Sequence, residues 1–210
     1  MSHYEKAYFD WQKELGEFGG KAEQFKFRPY IKPTDNVLDF GCGGGFVLKN
    51  LPCAGKMGIE INAVARENCA ALGVKAVPNV SEVPDNWADV IISNHALEHT
   101  HQPLDEIKSL FPKLKSGGTI LFCVPWEKIN PWAPNDINQH LYTWAAMNLG
   151  NLFTLAGYNV QSVAEVKHKW PPHFFRIHKM FGQGGFDLSS KLYARYKWKV
   201  SQLLLVARKP

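Results

Sequence analysis

Between Val37 and Leu48 the sequence reads Val-Leu-Asp-Phe-Gly-Cys-Gly-Gly-Gly-Phe-Val-Leu, and no other stretch limits the fold so severely. An apolar run closes on an acid, Asp39, passes through glycines at 41, 43, 44 and 45, and resumes a new apolar register at Phe46. That order is how a short buried strand turns tightly into a helix. Glycine permits positive φ and places no Cβ between backbone and ligand, so the free N–H groups of the next helix stay within reach. The acid restricts what can bind there. A carboxylate at the strand end adds repulsion to a dinucleotide's pyrophosphate, whereas a cationic ligand is attracted.

Asp39-x-Gly41-x-Gly43-x-Gly45 resembles the first motif of class I S-adenosylmethionine-dependent methyltransferases, whose donor carries an ammonium and a sulfonium. The resemblance implies that Asp39, Phe40, Gly41, Cys42, Gly43 and Gly45 contact S-adenosylmethionine, with S-adenosylhomocysteine as product. A second acid supports it. Glu60 closes the next apolar stretch, Lys56 to Glu60, about twenty residues past the first glycine, where a ribose would offer its hydroxyls. By resemblance Glu60 takes the ribose, Ile61 lies beside the adenine ring, and Asn79 and Val80 fall near the adenine amino group.

Ala88 to Ser93 is a β-branched run that reads as a strong fourth strand. The segment after it, Asn94-His95-Ala96-Leu97-Glu98-His99, also matches as letters the inverted zinc-protease pattern. That pattern needs a helix already running at His95, and the sequence puts a strand end there, so no metal is expected. The same segment resembles the Leu-Glu-His stretch of small-molecule methyltransferases, which implies that Asn94 and His95 approach the methionine part of the cofactor. Glu98 and His99 then shape the adjacent cleft, although a buried histidine bonded to a backbone carbonyl explains His99 equally well.

The expected fold is α/β: a Rossmann-like, seven-stranded, mostly parallel sheet flanked by helices, with an N-terminal helical lid and a helical insertion before the last strand. Residues 1–210 form one domain, divided into a helical segment over 1–34, a cofactor-binding core over 35–166, a variable helical insertion over 167–197 and a last strand over 198–210. Within the core the pattern predicts strands at Val74 to Val77, Thr119 to Val124 and Tyr158 to Val166. It predicts helices at Phe46 to Leu51, Ala63 to Leu72 with Asn62 as N-cap, Leu104 to Leu114, and Ala145 to Ala156 ended by Gly157. Lys115 to Gly118 reads as a turn. In the insertion, Pro171-Pro172 opens one helix that ends at Gly182 to Gly185, and Asp187 to Tyr196 forms another. By resemblance to such methyltransferases the N-terminal helices lid the cofactor, which makes Trp11 a candidate cover for the pocket; ordinary packing on the sheet explains it at least as well.

Glu127 to Asn138 is too rich in Pro, Asn and Trp for a regular element, and it leaves the sheet at the carboxyl edge where ligands bind. Trp126, Trp132 and His140 are therefore candidate substrate contacts; anchoring of the sheet edge is the alternative for the tryptophans. The His140-Leu-Tyr-Thr-Trp144 string and the Leu-Ala-Gly-Tyr ending at Tyr158 resemble ubiquinone-type and related family 23 methyltransferases. Methyl transfer from a sulfonium is an in-line displacement that orientation and desolvation can drive, and a base is needed only when the acceptor must lose a proton. His140 is the first candidate base, with His99 and Tyr142 in reserve.

A net charge of +5 is mild, but ten cations and one acid follow Glu165. That region is a solvated basic face, or it meets an acidic substrate, a membrane surface or nucleic acid, as in an RNA- or protein-modifying methyltransferase. The order Asn94-His95-Ala96-Leu97 lacks the Asn/Asp-Pro-Pro-aromatic motif of base methylation, which argues against nucleic acid and leaves a small-molecule acceptor. A protein that binds the donor without catalysis is the remaining alternative. No apolar run reaches the length of a bilayer span, and the N-terminus lacks a signal peptide's apolar core, so a cytoplasmic location is expected. Four cysteines without paired short spacing imply neither disulfides nor a cysteine zinc site.

Overall fold

A computed structural model describes residues 15–127, 132, 134, 139–198 and 200–210 of the chain. Trp11 and most of the loop from Glu127 to Asn138 lie outside the described residues. Helix α1 covers residues 15–22. Then come β1 (Asn36–Phe40), α2 (Phe46–Asn50), β2 (Gly55–Ile59), α3 (Ala63–Ala71), β3 (Lys75–Val77) and β4 (Ala88–Asn94). The chain continues through α4 (Pro103–Leu110), β5 (Leu114–Glu127), α5 (Ala146–Leu155), β6 (Asn159–Val166), α6 (Phe174–Tyr196) and β7 (Val200–Arg208).

Seven strands form one sheet in the order β3-β2-β1-β4-β5-β7-β6. The first five pair in parallel, and β7 runs antiparallel between β5 and β6. Strand order reverses between β1 and β4, so the crossovers diverge there and open a crevice at the carboxyl ends of both strands. Asp39 and Asn94 stand at that crevice.

Side chains alternate between two apolar layers, as the period of two requires. Leu38, Ile91, Ile120, Phe122 and Val124 pack beneath α4 and α5 with Ile107, Leu110, Leu149 and Phe153. Val37, Val90, Ile92, Leu121 and Cys123 face the other way, toward Phe27, Leu48 of α2 and Cys69 of α3. Burial on both faces explains why the central strands read as unbroken apolar runs.

Most predicted boundaries hold within two residues. Asn62 caps α3 by accepting from the amides of Val64 and Ala65, and Gly157 follows α5 at φ 99. Strand β5 is longer than expected at both ends. Leu114 already pairs with Ala88, Lys115 to Gly118 bulge out with Gly117 at φ 74, and Thr119 resumes pairing with Val90. Pairing with β4 stops at Cys123 while β7 carries the ladder on to Glu127, and a strand bonded along one edge tolerates Pro125. The two helices expected in the insertion are both present within α6, parted by the non-helical Gly182 (φ 64, ψ −166), and Gly184 and Gly185 already belong to the second of them. Among the described residues no helix is long and apolar enough to cross a membrane.

Candidate active site

A cavity of about 920 Å³ opens over the strand-order reversal. Its lining includes Asp39, Phe40, Gly41, Cys42, Gly43, Glu60, Ile61, Asn79, Val80, Asn94, His95, His99 and His140 from the sequence-predicted set. Gly45, Tyr142, Trp126 and Trp132 do not line it.

At one end sits the glycine loop. Gly41, Gly43 and Gly45 all adopt positive φ, and a Cβ on Gly43 would meet nothing within 4 Å, so that backbone stands bare to the cavity. Gly45 instead forms the left-handed N-cap of α2 at φ 79. Asp39 is 2% exposed, and its Oδ1 has no hydrogen-bond partner. Burial, together with Cys69 and Glu60 nearby, pushes its carboxyl well above the usual range. A buried acid without a partner is costly, and a cation arriving in the cavity would relieve that cost.

Glu60 follows β2 and bridges two segments. Its Oε2 accepts from the Gly43 amide at 2.9 Å and its Oε1 from the Asn62 amide at 2.8 Å. Burial raises its pKa against these hydrogen bonds. Arg66 fixes the tip by donating to the carbonyls of Glu60 and Ile61, each at 2.8 Å. The Ile61 side chain, 80% exposed, offers an apolar surface beside the loop. Asn79 is turned to Glu82, with its Nδ2 3.1 Å from Oε1. These residues fit the predicted cofactor: an unpartnered buried acid for a cation, a bare glycine backbone, and a second acid with an apolar neighbour for a nucleoside.

The other end of the cavity is built around Glu98. A left-handed turn at His95 (φ 56) sends the chain from β4 into a 3₁₀ turn, Leu97–His99, that fully buries Glu98. His95 Nδ1 lies 3.3 Å and His140 Nε2 4.0 Å from Glu98 Oε1. The amide of Leu141 donates to the Glu98 carbonyl at 2.9 Å, which holds the His140 segment against the turn. His99 and His140 meet edge to face, ring centroids 5.0 Å apart. Burial lowers the pKa of His99, while contacts with Cys123 and Glu98 overcome burial at His95 and push it up to about 10. Ligating atoms of Glu98, His99 and His140 lie within 4.8 Å of one another, so these three are the described residues able to hold a metal ion. The helix that the inverted zinc-protease pattern needs at His95 is not there.

Tyr142 turns away, donating to the His101 carbonyl at 3.0 Å and stacking on Trp144. Trp126 shares its face of β5 with Phe122 and Val124 and packs on that core layer, while Trp132 is 87% exposed. The aromatic wall comes from Trp170 instead, whose Nε1 donates to Glu23 at 2.7 Å. Sequence reasoning missed that side entirely. Glu23, His168, Trp170, Ser201 and Gln202 line the cavity around Lys26, whose buried ammonium bonds Glu23, Asn94 and Gln202. No local pattern could reveal this group, because it joins the N-terminal segment to β7.

Helix α1 closes over the loop through its glycines. A Cβ on Gly20 would stand 2.3 Å from the Phe46 carbonyl oxygen, and one on Gly16 would stand 2.5 Å from the Phe46 ring. Only glycine lets the helix rest on the start of α2.

Sheet order, a glycine loop behind a buried acid, and a second acid on the neighbouring strand define the class I S-adenosylmethionine-dependent methyltransferase. Residues 6–163 match the family 23 methyltransferase domain, and the chain belongs to that family. Two ubiquinone biosynthesis O-methyltransferases are similar to it. That of Vibrio vulnificus is 34% identical over 98 residues, covering 41% of this chain and 42% of the relative. That of Yersinia pestis is 30% identical over 109 residues, covering 46% and 45%. The chain thus spans less than half the length of these curated relatives. Solved structures share the fold at low identity. An Archaeoglobus fulgidus S-adenosylmethionine-dependent methyltransferase superposes with a TM-score of 0.67 at 16% identity, over 97% of this chain and all of that one. The Haemonchus contortus phosphoethanolamine N-methyltransferase 2 bound to S-adenosylmethionine gives 0.63 at 17%, over 92% of this chain and 53% of that one.

Proposed function

We propose that the chain transfers a methyl group from S-adenosylmethionine to a hydroxyl oxygen of a small-molecule acceptor. The observation that carries this reading is that one cavity holds both the Asp39–Glu60 end and the Glu98–His99–His140 end. When bound, the cofactor supplies an electrophilic methyl carbon on a positively charged sulfur.

The protein's own residues do the rest. Asp39 and the glycine loop draw in the cation, and Glu60 grips the ribose, its carboxylate oxygens accepting from the sugar hydroxyls while they keep the Gly43 and Asn62 amides. His140 takes the acceptor's proton and His99 flanks it, while Glu98 holds the imidazole in place and stabilises its positive charge once protonated. Helix α1 and Trp170 keep water from the reacting atoms, which strengthens each of these interactions. Four free cysteines accord with a reducing, cytoplasmic setting.

The test is to incubate the chain with S-adenosylmethionine and a panel of phenols, alcohols and amines, following S-adenosylhomocysteine release and product mass. A methylated phenol or alcohol that disappears with His140→Ala supports the reading. Products from amines alone would assign nitrogen as the acceptor atom.

A further inference from the structure

Two thiols meet behind the glycine loop. Cys42 Sγ and Cys69 Sγ are 3.8 Å apart although 27 residues separate them in sequence, which is why their spacing gave no sign of a pair. Glycines make their space: a Cβ on Gly58 would stand 2.2 Å from Cys42 Sγ, and one on Gly45 would stand 3.0 Å from Cys69 Sγ. Both sulfurs also reach the Gly43 carbonyl, Cys69 at 3.2 Å and Cys42 at 3.6 Å. The amide of that same residue bonds Glu60. The other two cysteines are occupied elsewhere: Cys53 faces the Leu51 carbonyl and Cys123 faces Gln202.

We propose that Cys42 and Cys69 are an oxidisable dithiol, that hydrogen peroxide entering through the cofactor cavity converts them to a disulfide, and that the disulfide disables the cofactor loop. Cys42 lines the cavity and is the sulfur peroxide meets first. Its sulfur attacks one peroxide oxygen, the O–O bond breaks, and a sulfenic acid and one water result. Cys69 sulfur then attacks Cys42 sulfur, the S–S bond forms, and the sulfenic hydroxyl leaves with the Cys69 proton as a second water. Two thiols lose two electrons and one peroxide gains them. The hydrogen bond between the two sulfurs holds Cys69 below its usual range and, with burial, holds Cys42 well above it, so Cys42 reacts first by access alone and Cys69 is the better nucleophile for the second step. Closing 3.8 Å to an S–S bond of about 2.05 Å draws the loop toward α3. It also removes the Cys69 thiol from the Gly43 carbonyl, to which it donates at 3.2 Å, and so shifts the amide that aligns Glu60.

The experiment treats the reduced full chain with hydrogen peroxide, alkylates the remaining thiols, digests with trypsin and analyses the peptides by mass spectrometry. Calorimetric titration with S-adenosylhomocysteine runs in parallel. The expected result is a cross-linked Cys42–Cys69 peptide pair and a loss of affinity of tenfold or more that dithiothreitol restores. Saturating S-adenosylhomocysteine should slow the cross-link, and Cys69→Ala should keep whatever affinity it has when reduced. The wild-type reversal stands alone if that variant folds poorly. Alkylated Cys42 and Cys69 in a sample whose Cys53 is already oxidised would overturn the proposal. A quantitative cross-link with unchanged affinity would overturn it equally.

Discussion

The amide of Gly43 donates to Oε2 of Glu60 at 2.9 Å, joining the loop after β1 to the tip of β2. One carboxylate thereby shapes the glycine loop and, in the proposed function, takes the ribose. Glu60→Ala leaves the Gly43 and Asn62 amides without their acceptor and removes the sugar contact. The hydrogen bond lost between the sugar and a charged carboxylate is worth about 1.5–3 kcal/mol, so affinity for S-adenosylhomocysteine should fall by about 10- to 150-fold, read by calorimetry. Glu60→Gln, which keeps an acceptor oxygen, should lose less.

Asp39 makes cofactor binding depend on pH. Its carboxyl is raised by burial, with Cys69 and Glu60 adding to the shift, so the acid is neutral over a wider range than usual. Binding a cation favours the carboxylate and releases a proton. Affinity for S-adenosylmethionine should therefore rise with pH through that raised pKa and level off above it. Asp39→Asn should bind at least about tenfold more weakly and show a flat profile over the same range. Titrations across pH in buffers of different ionisation enthalpy would detect the released proton.

The role proposed for Glu98 runs through His95 and His140. Glu98→Gln keeps the size and removes the charge facing His95 and His140, so turnover should drop by about 10²-fold or more while cofactor affinity changes little. Activity should survive dialysis against a chelator. Loss on dialysis with recovery on adding a divalent cation would reassign Glu98, His99 and His140 as metal ligands.

The glycine-loop end of the cavity was legible in the sequence and the Glu98 end only in part, for a physical reason. Asp39, the glycines and Glu60 are strand-tip residues whose positions follow from local alternation and turn chemistry. His140 is held by the Leu141 amide on the Glu98 carbonyl, a contact spanning 43 residues that no local pattern shows. Lys26 reaches Gln202 across 176 residues and lay beyond any local pattern. Trp126 stands at the carboxyl edge, where a substrate contact and an anchor for the sheet edge were equally legible, and its parity with Phe122 and Val124 packs it against the core layer.

Phe153 joins α5 to the sheet, fully buried against Phe122 and Tyr158 with centroid separations of 5.1 and 5.8 Å. Phe153→Ala should lower stability by about 3–5 kcal/mol in urea titration, from lost apolar burial and the cavity left behind. Gly20→Ala tests the lid instead. Its Cβ clashes with the Phe46 carbonyl, so α1 must lift, and cofactor dissociation should quicken more than global stability falls.

Calorimetric titration of the folded, reduced chain with S-adenosylmethionine measures the central claim most directly. A single site per chain, weakened by Asp39→Asn and by Glu60→Ala, is the predicted result. Absence of heat with both S-adenosylmethionine and S-adenosylhomocysteine, or binding indifferent to both substitutions, would contradict it.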